Sequence, residues 1–466
     1  MSLLNVTFPL PLLALEHGAL VLGGLLLYLL TTRIGQQRRP PSSAVSWVLL
    51  IALLPYLGIP LFLLFGTRKF VRPPRRRSPH PLTTLAPLAG HWATGLLAAI
   101  HVPPPRHNLT ITFHEDGEAS QQALFHLIAR TQRDLAVCSF LLASDAFGWA
   151  VGDALIHSVQ RGVKVRLLLD ALGDLRWSRR QVTRLQAAGV EVRWFMPLLH
   201  NPLRGRLNLR NHRKMLISDG RHLWSGGRNL AAEYFVGKRR HAAWVDLSFV
   251  AEGELAGQAR QLFEHDWQTV NGLHPVRPLP AGPSPTATGP LAQLIPCGPD
   301  MADDTLYDLL LTASYQAQQR LVAVTPYFVP DDALLSAWTL ACRRGVSFTL
   351  LLPRRSNHRL ADVAREPALR ELAAAGAEIL LYPGMLHAKA FLVDDTLALC
   401  GSANLDGRSL FLNFELMTAF YGPAEIRWLS DWVGRRAEKS AHYRASNPGL
   451  ARGLLEGIVR TVGYQL

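Results

Sequence analysis

The chain has 466 residues, 48% of them hydrophobic, and a net charge of +14 from 49 Lys and Arg against 35 Asp and Glu. Its mean hydropathy of +0.10 is high for a wholly soluble protein, so part of it is expected in lipid, and the length leaves room for a membrane segment and two ordinary domains. The basic excess points to a phosphate-bearing partner, lipid headgroup or nucleic acid, which charge alone does not separate, and four scattered cysteines (Cys138, Cys297, Cys342, Cys400) without CxxC spacing argue for buried free thiols, not zinc.

Residues 1–70 read as a membrane anchor. Residues 18–32 carry no charge, and the apolar run reaches back to Leu10 through Glu16 and His17. Residues 42–67 are 26 positions without a charge, enough to span a hydrocarbon core even when kinked at Pro55 and Pro60. No Lys or Arg precedes Arg33, so the first run lacks the basic start of a signal peptide. Two transmembrane helices are therefore expected, with both termini on one side, a re-entrant second segment being the alternative. Arg33, Arg38 and Arg39 lie between them; Arg68, Lys69, Arg72 and Arg75, Arg76 and Arg77 follow. The larger group places the main domain in the cytoplasm, as part of a multi-pass inner-membrane protein.

Residues 71–107 form a basic, Pro-rich stretch expected to be a linker. From 108 to 270 the pattern alternates: strands at 109–113, 135–140, 163–169, 190–195, 214–218, 223–225 and 243–249, and helices at 118–131, 146–161, 178–188 and up to Trp267. Residues 271–290, rich in Pro, Gly, Ala and Thr, read as a second linker. The alternation returns over 291–440: strands at 293–297, 320–324, 346–352 and 378–381, helices at 303–317, 330–344 and 360–375, then three more strands and a helix to Lys439. Residues 441–466 hold an apolar helix expected to pack against the domain, with membrane contact as the alternative. The fold class is thus α/β, with two similar mixed-sheet halves, each sheet covered on both faces.

One element marks the repeat. His212, Lys214 and Asp219 have the spacing His-x-Lys-x-x-x-x-Asp, and His387, Lys389 and Asp394 repeat it 175 residues later. Gly226 and Asn229 recur as Gly401 and Asn404 at the same offset. With 17 His and only six Lys in the chain, chance gives about 0.2 His-x-Lys pairs before Asp is required. Residues i and i+2 of a strand share a face, so each His projects with its Lys. If the halves meet across a pseudo-two-fold, two imidazoles and two ammoniums converge on one pocket, with Asn229 and Asn404 reaching in. Such a pocket suits displacement at a phosphodiester: one His as nucleophile, the other as acid and base, Lys and Asn steadying the non-bridging oxygens. Fixed cations would supply the charge, so neither metal nor cofactor is expected. A nucleophilic imidazole needs an acceptor on its far nitrogen, for which Asp246 and Glu415 are candidates. Asp219 and Asp394 have a supporting reading as turn residues.

The paired motif resembles the phospholipase D superfamily, and the similarity is greatest to the bacterial cardiolipin synthases. RNHRKMLISDG, SGGRNLAAEY and FEHDW resemble their first half; TPYFVPDDAL, GMLHAKAFLVDD and GSANLDGRSLFLNFE resemble their second. The apolar SWVLLIALLPYLGIPLFLLFG is similar too. The resemblance implies phosphatidyl transfer between two phosphatidylglycerols through a phosphohistidine, releasing glycerol. It implies a catalytic set of His212, Lys214, Asp219, His387, Lys389 and Asp394, with Ser402 among the supporting residues; His212 is taken as nucleophile and His387 as acid and base, though little in the sequence separates the two. Its partners would be phosphatidylglycerol and other anionic phospholipids, not nucleic acid. RRSNH (354–358) departs from the pattern, which has an Asp where Asn357 stands. Hydrolysis by the same site, phosphatidylethanolamine as donor, a nuclease, and a non-catalytic lipid-binding protein are the alternatives.

Overall fold

The computed structural model describes residues 10–34, 41–66, 91–173, 179–196, 208–238, 241–270 and 288–462. Most of both expected linkers lies outside them.

The first apolar run is a single helix, α1 (Leu10–Ile34). Its apolar window of 19 residues is about 28 Å long, enough to cross a bilayer. The second run breaks at Leu54 into α2 (Pro41–Leu53) and α3 (Pro55–Phe65). Trp47 and Phe62 meet edge-on with ring centroids 5.3 Å apart, where a continuous helix would hold them about 22 Å apart. The two helices therefore form a hairpin. Alongside α1, Tyr28 meets Phe62 at 5.3 Å and His17 meets Tyr56 at 5.9 Å, so the reversal lies near the beginning of α1. Gly24 allows this packing: a Cβ there would lie 2.7 Å from Ile59 and 2.8 Å from Ile51. Pro55 has no N–H to satisfy, and the Leu54 carbonyl accepts from Leu57 and Gly58 at 3.1 and 2.7 Å, so the reversal strands few polar groups. The expectation of two transmembrane helices is not confirmed. Among the described residues one helix is long enough to span, and the second stretch is a hairpin of 13- and 11-residue helices.

The supposed linker ends early. α4 (Trp92–Ala99) buries Ala93 and Leu97 completely against the core of the domain. The side-chain amides of Gln293 and Gln258 donate to the carbonyls of Pro103 and Pro104.

The first half runs β1 (Arg106–His114), α5 (Gly117–Arg130), β2 (Asp134–Ser139), α6 (Ala146–Gln160), β3 (Lys164–Asp170), α7 (Arg179–Ala187), β4 (Glu191–Phe195), β5 (Met215–Ser218), β6 (His222–Gly226), β7 (Ser248–Gly253) and α8 (Glu254–Thr269). The second half runs β8 (Leu291–Cys297), α9 (Thr305–Gln316), β9 (Arg320–Val324), β10 (Phe328–Val329), α10 (Asp332–Arg343), β11 (Ser347–Pro353), α11 (Arg359–Ala364), α12 (Glu366–Ala374), β12 (Glu378–Tyr382), β13 (Ala390–Val393), β14 (Leu397–Gly401), β15 (Leu405–Asp406), α13 (Gly407–Phe411), β16 (Glu415–Phe420) and α14 (Pro423–Ala437). β17 (Ala441–His442) and α15 (Leu450–Val462) close the chain. The single helix expected over 360–375 is two, because Pro367 opens α12 after a break at Arg365.

Among the described residues fifteen strands make one sheet, ordered β17-β12-β11-β9-β13-β14-β16-β8-β1-β7-β6-β5-β2-β3-β4. Read outward from its centre, each half repeats the same seven-strand order, with β1 and β8 as equivalent central strands. Those two pair antiparallel through Arg106–Ala292 and His107–Leu291. Both faces are covered: on β2, Ala136 and Cys138 enter one apolar core, while Leu135 and Val137 enter the other.

Candidate active site

The two motifs approach the seam from opposite sides. The chain just before β5 pairs with the chain just before β16: His212 N donates to the Phe414 carbonyl and Phe414 N to the Arg210 carbonyl, both at 2.8 Å. The chain before β13 pairs likewise with the chain before β7, His387 N donating to the Val245 carbonyl at 2.7 Å and Val245 N to that of Met385 at 2.9 Å. Each His-x-Lys is thus pinned by the other half, in extended chain immediately ahead of its strand.

The imidazoles are held the same way. His212 Nδ1 lies 3.0 and 3.1 Å from the two carboxylate oxygens of Glu415, and His387 Nδ1 lies 2.7 Å from Asp246 Oδ2. The register makes these carboxylates equivalents: Gly226 faces Ser248 and Gly401 faces Met417, and each carboxylate stands two residues before that partner. A carboxylate on Nδ1 leaves Nε2 of His212 as its reactive nitrogen; on His387 the Lys389 ammonium also lies 2.6 Å from Nδ1 and 3.1 Å from Nε2. Glu415 also accepts from Ser402 Oγ at 2.5 Å and Asn413 Nδ2 at 3.2 Å. Glycine admits the close approaches: a Cβ at Gly226 or Gly401 would lie 2.3 or 2.2 Å from the carbonyl of Leu247 or Leu416, and one at Gly227 would lie 2.2 Å from Asp246 Oδ1.

The lysines fold inward. Lys214 Nζ donates to the His212 carbonyl at 2.7 Å and Lys389 Nζ to that of His387 at 2.5 Å. Burial lowers Lys214 to about 7, opposed by Glu415, and Lys389 to about 8, opposed by Asp246. Burial, with Lys389, brings His387 down to about 3 against the pull of Asp246. His212 is lowered as well, chiefly by burial, with Glu415 opposing. Burial pushes the Asp246 carboxyl up, but Lys389 and His387 outweigh it and bring it down to about 2. Lys389 acts on His212 and Lys214 on His387, so both pairs share one field. An anion in that field would restore the charge that burial removes.

Asn229 and Asn404 are buried beside them. The Oδ1 of each is without a hydrogen-bond partner, while Asn229 Nδ2 donates to Tyr234 OH at 2.8 Å. Amides left incomplete in a buried polar pocket are suited to complete a ligand's hydrogen bonds. Ser402 instead serves Glu415, and its Oγ accepts from Leu416 N at 2.9 Å.

Asp219 and Asp394, expected in the catalytic set, are not brought to this pocket. Each follows its strand, five residues beyond its Lys, about 16 Å away along extended chain. The Asp219 carboxylate accepts the backbone N–H groups of Gln132, Arg133 and Asp134 at 2.7–3.0 Å, and Asp394 those of Gln318, Gln319 and Arg320 at 2.8–3.1 Å. Both adopt positive φ, 51° and 47°, which Asp tolerates better than most residues. They tie the ends of β5 and β13 to the beginnings of β2 and β9.

The motif spacing does not disclose the aromatic walls. Phe140 meets the His212 ring edge-on at 5.3 Å. His387 is boxed by Tyr234 at 5.0 Å, Trp244 at 5.4 Å and Tyr327 at 6.4 Å. Tyr327 OH donates to Asn357 Oδ1 at 2.6 Å, which places the departing residue of the second half at this rim. Arg213, between His212 and Lys214, was also missed; the alternation that turns its neighbours into the pocket turns it away, fully buried. His265, Asp266 and Asp300 are near enough to hold a metal ion, but the Arg213 guanidinium already lies on them, 2.5 Å from Asp266 and 3.5 Å from Asp300.

The sequence matches the family described as "Cardiolipin synthase, PLD-like domain" over residues 124–267 and 310–436, and "Phospholipase_D-nuclease N-terminal" over 24–66. It is 32% identical to cardiolipin synthase A of Pseudomonas aeruginosa over 419 residues, 85% of each chain. It is 31% identical to cardiolipin synthase A of Klebsiella pneumoniae over 424 residues, 83% of this chain and 84% of that one. Among solved structures, phosphatidylserine synthase of Haemophilus influenzae superposes with TM-score 0.64 at 14% identity, covering 81% of this chain and 100% of that one. Polyphosphate kinase of Porphyromonas gingivalis superposes with TM-score 0.51 at 12% identity, covering 82% and 56%. At such identities these two speak for the fold alone.

Proposed function

The chain belongs to the cardiolipin synthase family of phospholipase D-like phosphatidyltransferases, and from that premise we propose that it joins two phosphatidylglycerols into cardiolipin through a phosphohistidine on His212. The observation that carries the reading is the pair of imidazoles, each held at Nδ1 by a carboxylate from the opposite half, within one field of two lysines. In the first step His212 Nε2 attacks phosphorus, the bond to the headgroup oxygen breaks, and His387 Nε2–H protonates the departing glycerol. In the second, an acceptor hydroxyl gives its proton to His387 and attacks phosphorus, and the P–N bond breaks to free His212. Lys214 and Lys389 steady the non-bridging oxygens throughout. The roles of the two rings follow their surroundings. The His212 side chain is 14% exposed against 4% for His387, and the aromatic box around His387 suits a small polyol headgroup with apolar CH faces.

The membrane arrangement belongs to the same reading: α1 crosses once, and the hairpin of α2 and α3 enters and leaves on the Arg33 side. The basic residues after α1 and those after the hairpin then share one face, which the positive-inside rule makes cytoplasmic. The N-terminus is left on the opposite face from the catalytic domain. A protease-cleavable tag at the N-terminus should be cut from outside spheroplasts while a C-terminal tag is protected; protection of both would restore the two-span topology.

Product analysis with defined lipids tests the chemistry. Vesicles of phosphatidylglycerol should yield cardiolipin and glycerol, and His212→Ala and His387→Ala should each lose at least about 10³-fold. Phosphatidic acid as the sole product would make the chain a hydrolase. Turnover only when phosphatidylethanolamine is added would change the donor.

A further inference from the structure

Among its described side chains, α15 buries a paired glutamate and turns two leucines outward. Its packed face carries Glu456 at 2% exposure and Val459 at 5%. Glu456 pairs there with Arg370 and Arg452. Its outward face carries Leu450 and Leu454, one turn apart, at 97% and 68% exposure. A single exposed leucine is ordinary, but a helix that spends its carboxylate inward and presents leucines outward faces something other than water.

Its neighbours say what. α15 touches α2 of the membrane hairpin and packs against α11. α11 begins just after His358, whose ring meets Tyr327 edge-on at 5.0 Å, and Tyr327 stands beside His387. The helix therefore joins the lipid anchor to the rim of the active site. We propose that α15 lies in the plane of the membrane interface, with Leu450 and Leu454 among the acyl chains, and seats the His387 side of the site at headgroup depth. A two-chain lipid would then present its phosphate without leaving the bilayer. The inference rests on membrane association and not on the identity of the reaction, since its first test is read without turnover.

The full chain, with the half-buried Cys342 replaced by Ser, is reconstituted into vesicles of phosphatidylglycerol and phosphatidylcholine. A nitroxide is placed at Leu454→Cys or, as a control, at the exposed Lys164→Cys. Oxygen should relax the label at 454 more than a water-soluble nickel chelate does, with the reverse at 164. Equal relaxation by the nickel chelate at both positions overturns the proposal. So does shielding from both agents at 454 with a halved mass in detergent for Leu450→Ser/Leu454→Ser, which would assign the face to a second copy of the chain. The same double variant should lose about tenfold in turnover on vesicles and keep its rate on short-chain phosphatidylglycerol dissolved in detergent. Unchanged turnover on vesicles, or an equal loss on both substrates, would also overturn it.

Discussion

Lys214 and Lys389 are buried within the field of both imidazoles, at about 7 and about 8, well below the ordinary lysine value. An empty site therefore sheds protons as pH rises through that window, and an anionic phosphate calls them back. The sign follows: binding takes up protons, so KM for phosphatidylglycerol should rise between about pH 7 and pH 9, by up to about tenfold per pH unit per proton, as initial rates on vesicles would record. The carboxylates make a separate prediction. Glu415→Gln and Asp246→Asn keep the shape but lose the anion that orients each ring and stabilises its imidazolium. Each should lower kcat by about 10²–10⁴-fold with a smaller change in KM. At this scale the sequence was informative wherever chemistry repeats at a constant offset, as for His212 with His387 and Asn229 with Asn404. Phe140, Tyr234, Trp244 and Tyr327 have no such repeat. Only the folded chain assembles that wall, because its rings come from separate loops.

Among the elements, the aspartates of the two motifs belong with the turns. Asp219→Ala and Asp394→Ala each orphan three backbone N–H groups at a strand end and should cost about 1–3 kcal/mol of stability. Asn, which keeps an acceptor oxygen and tolerates positive φ, should lose less. Thermal unfolding would rank Asp above Asn above Ala, while activity well below the transition would survive in all three, unlike the histidine variants. Motif spacing placed these residues on the right strands but could not tell a pocket from a turn, because five residues of extended chain separate the two. The hairpin in the anchor was hidden for a related reason. Hydropathy counts apolar residues, and Pro55 reads equally as a kink or a reversal until Trp47 is seen against Phe62.

Across the whole molecule, the seven-strand repeat was legible from the order of strands and helices, but the continuous sheet through β1 and β8 was not. Those two strands share only two residue pairs, too short a contact to leave a hydrophobic signature of its own. What unites the halves more strongly is the exchange of carboxylates across the seam. A site completed within one chain makes a sharp prediction: mixing His212→Ala protein with His387→Ala protein should restore no transfer. Recovery toward a quarter of the native rate would mean that the halves trade between chains.

That exchange also governs how the duplicated gene can change. Neither copy keeps its own imidazole in register; each holds its sibling's. A drift in one copy is felt first as a fault in the other, so the two halves are bound to evolve as a couple, and losing either one disarms both.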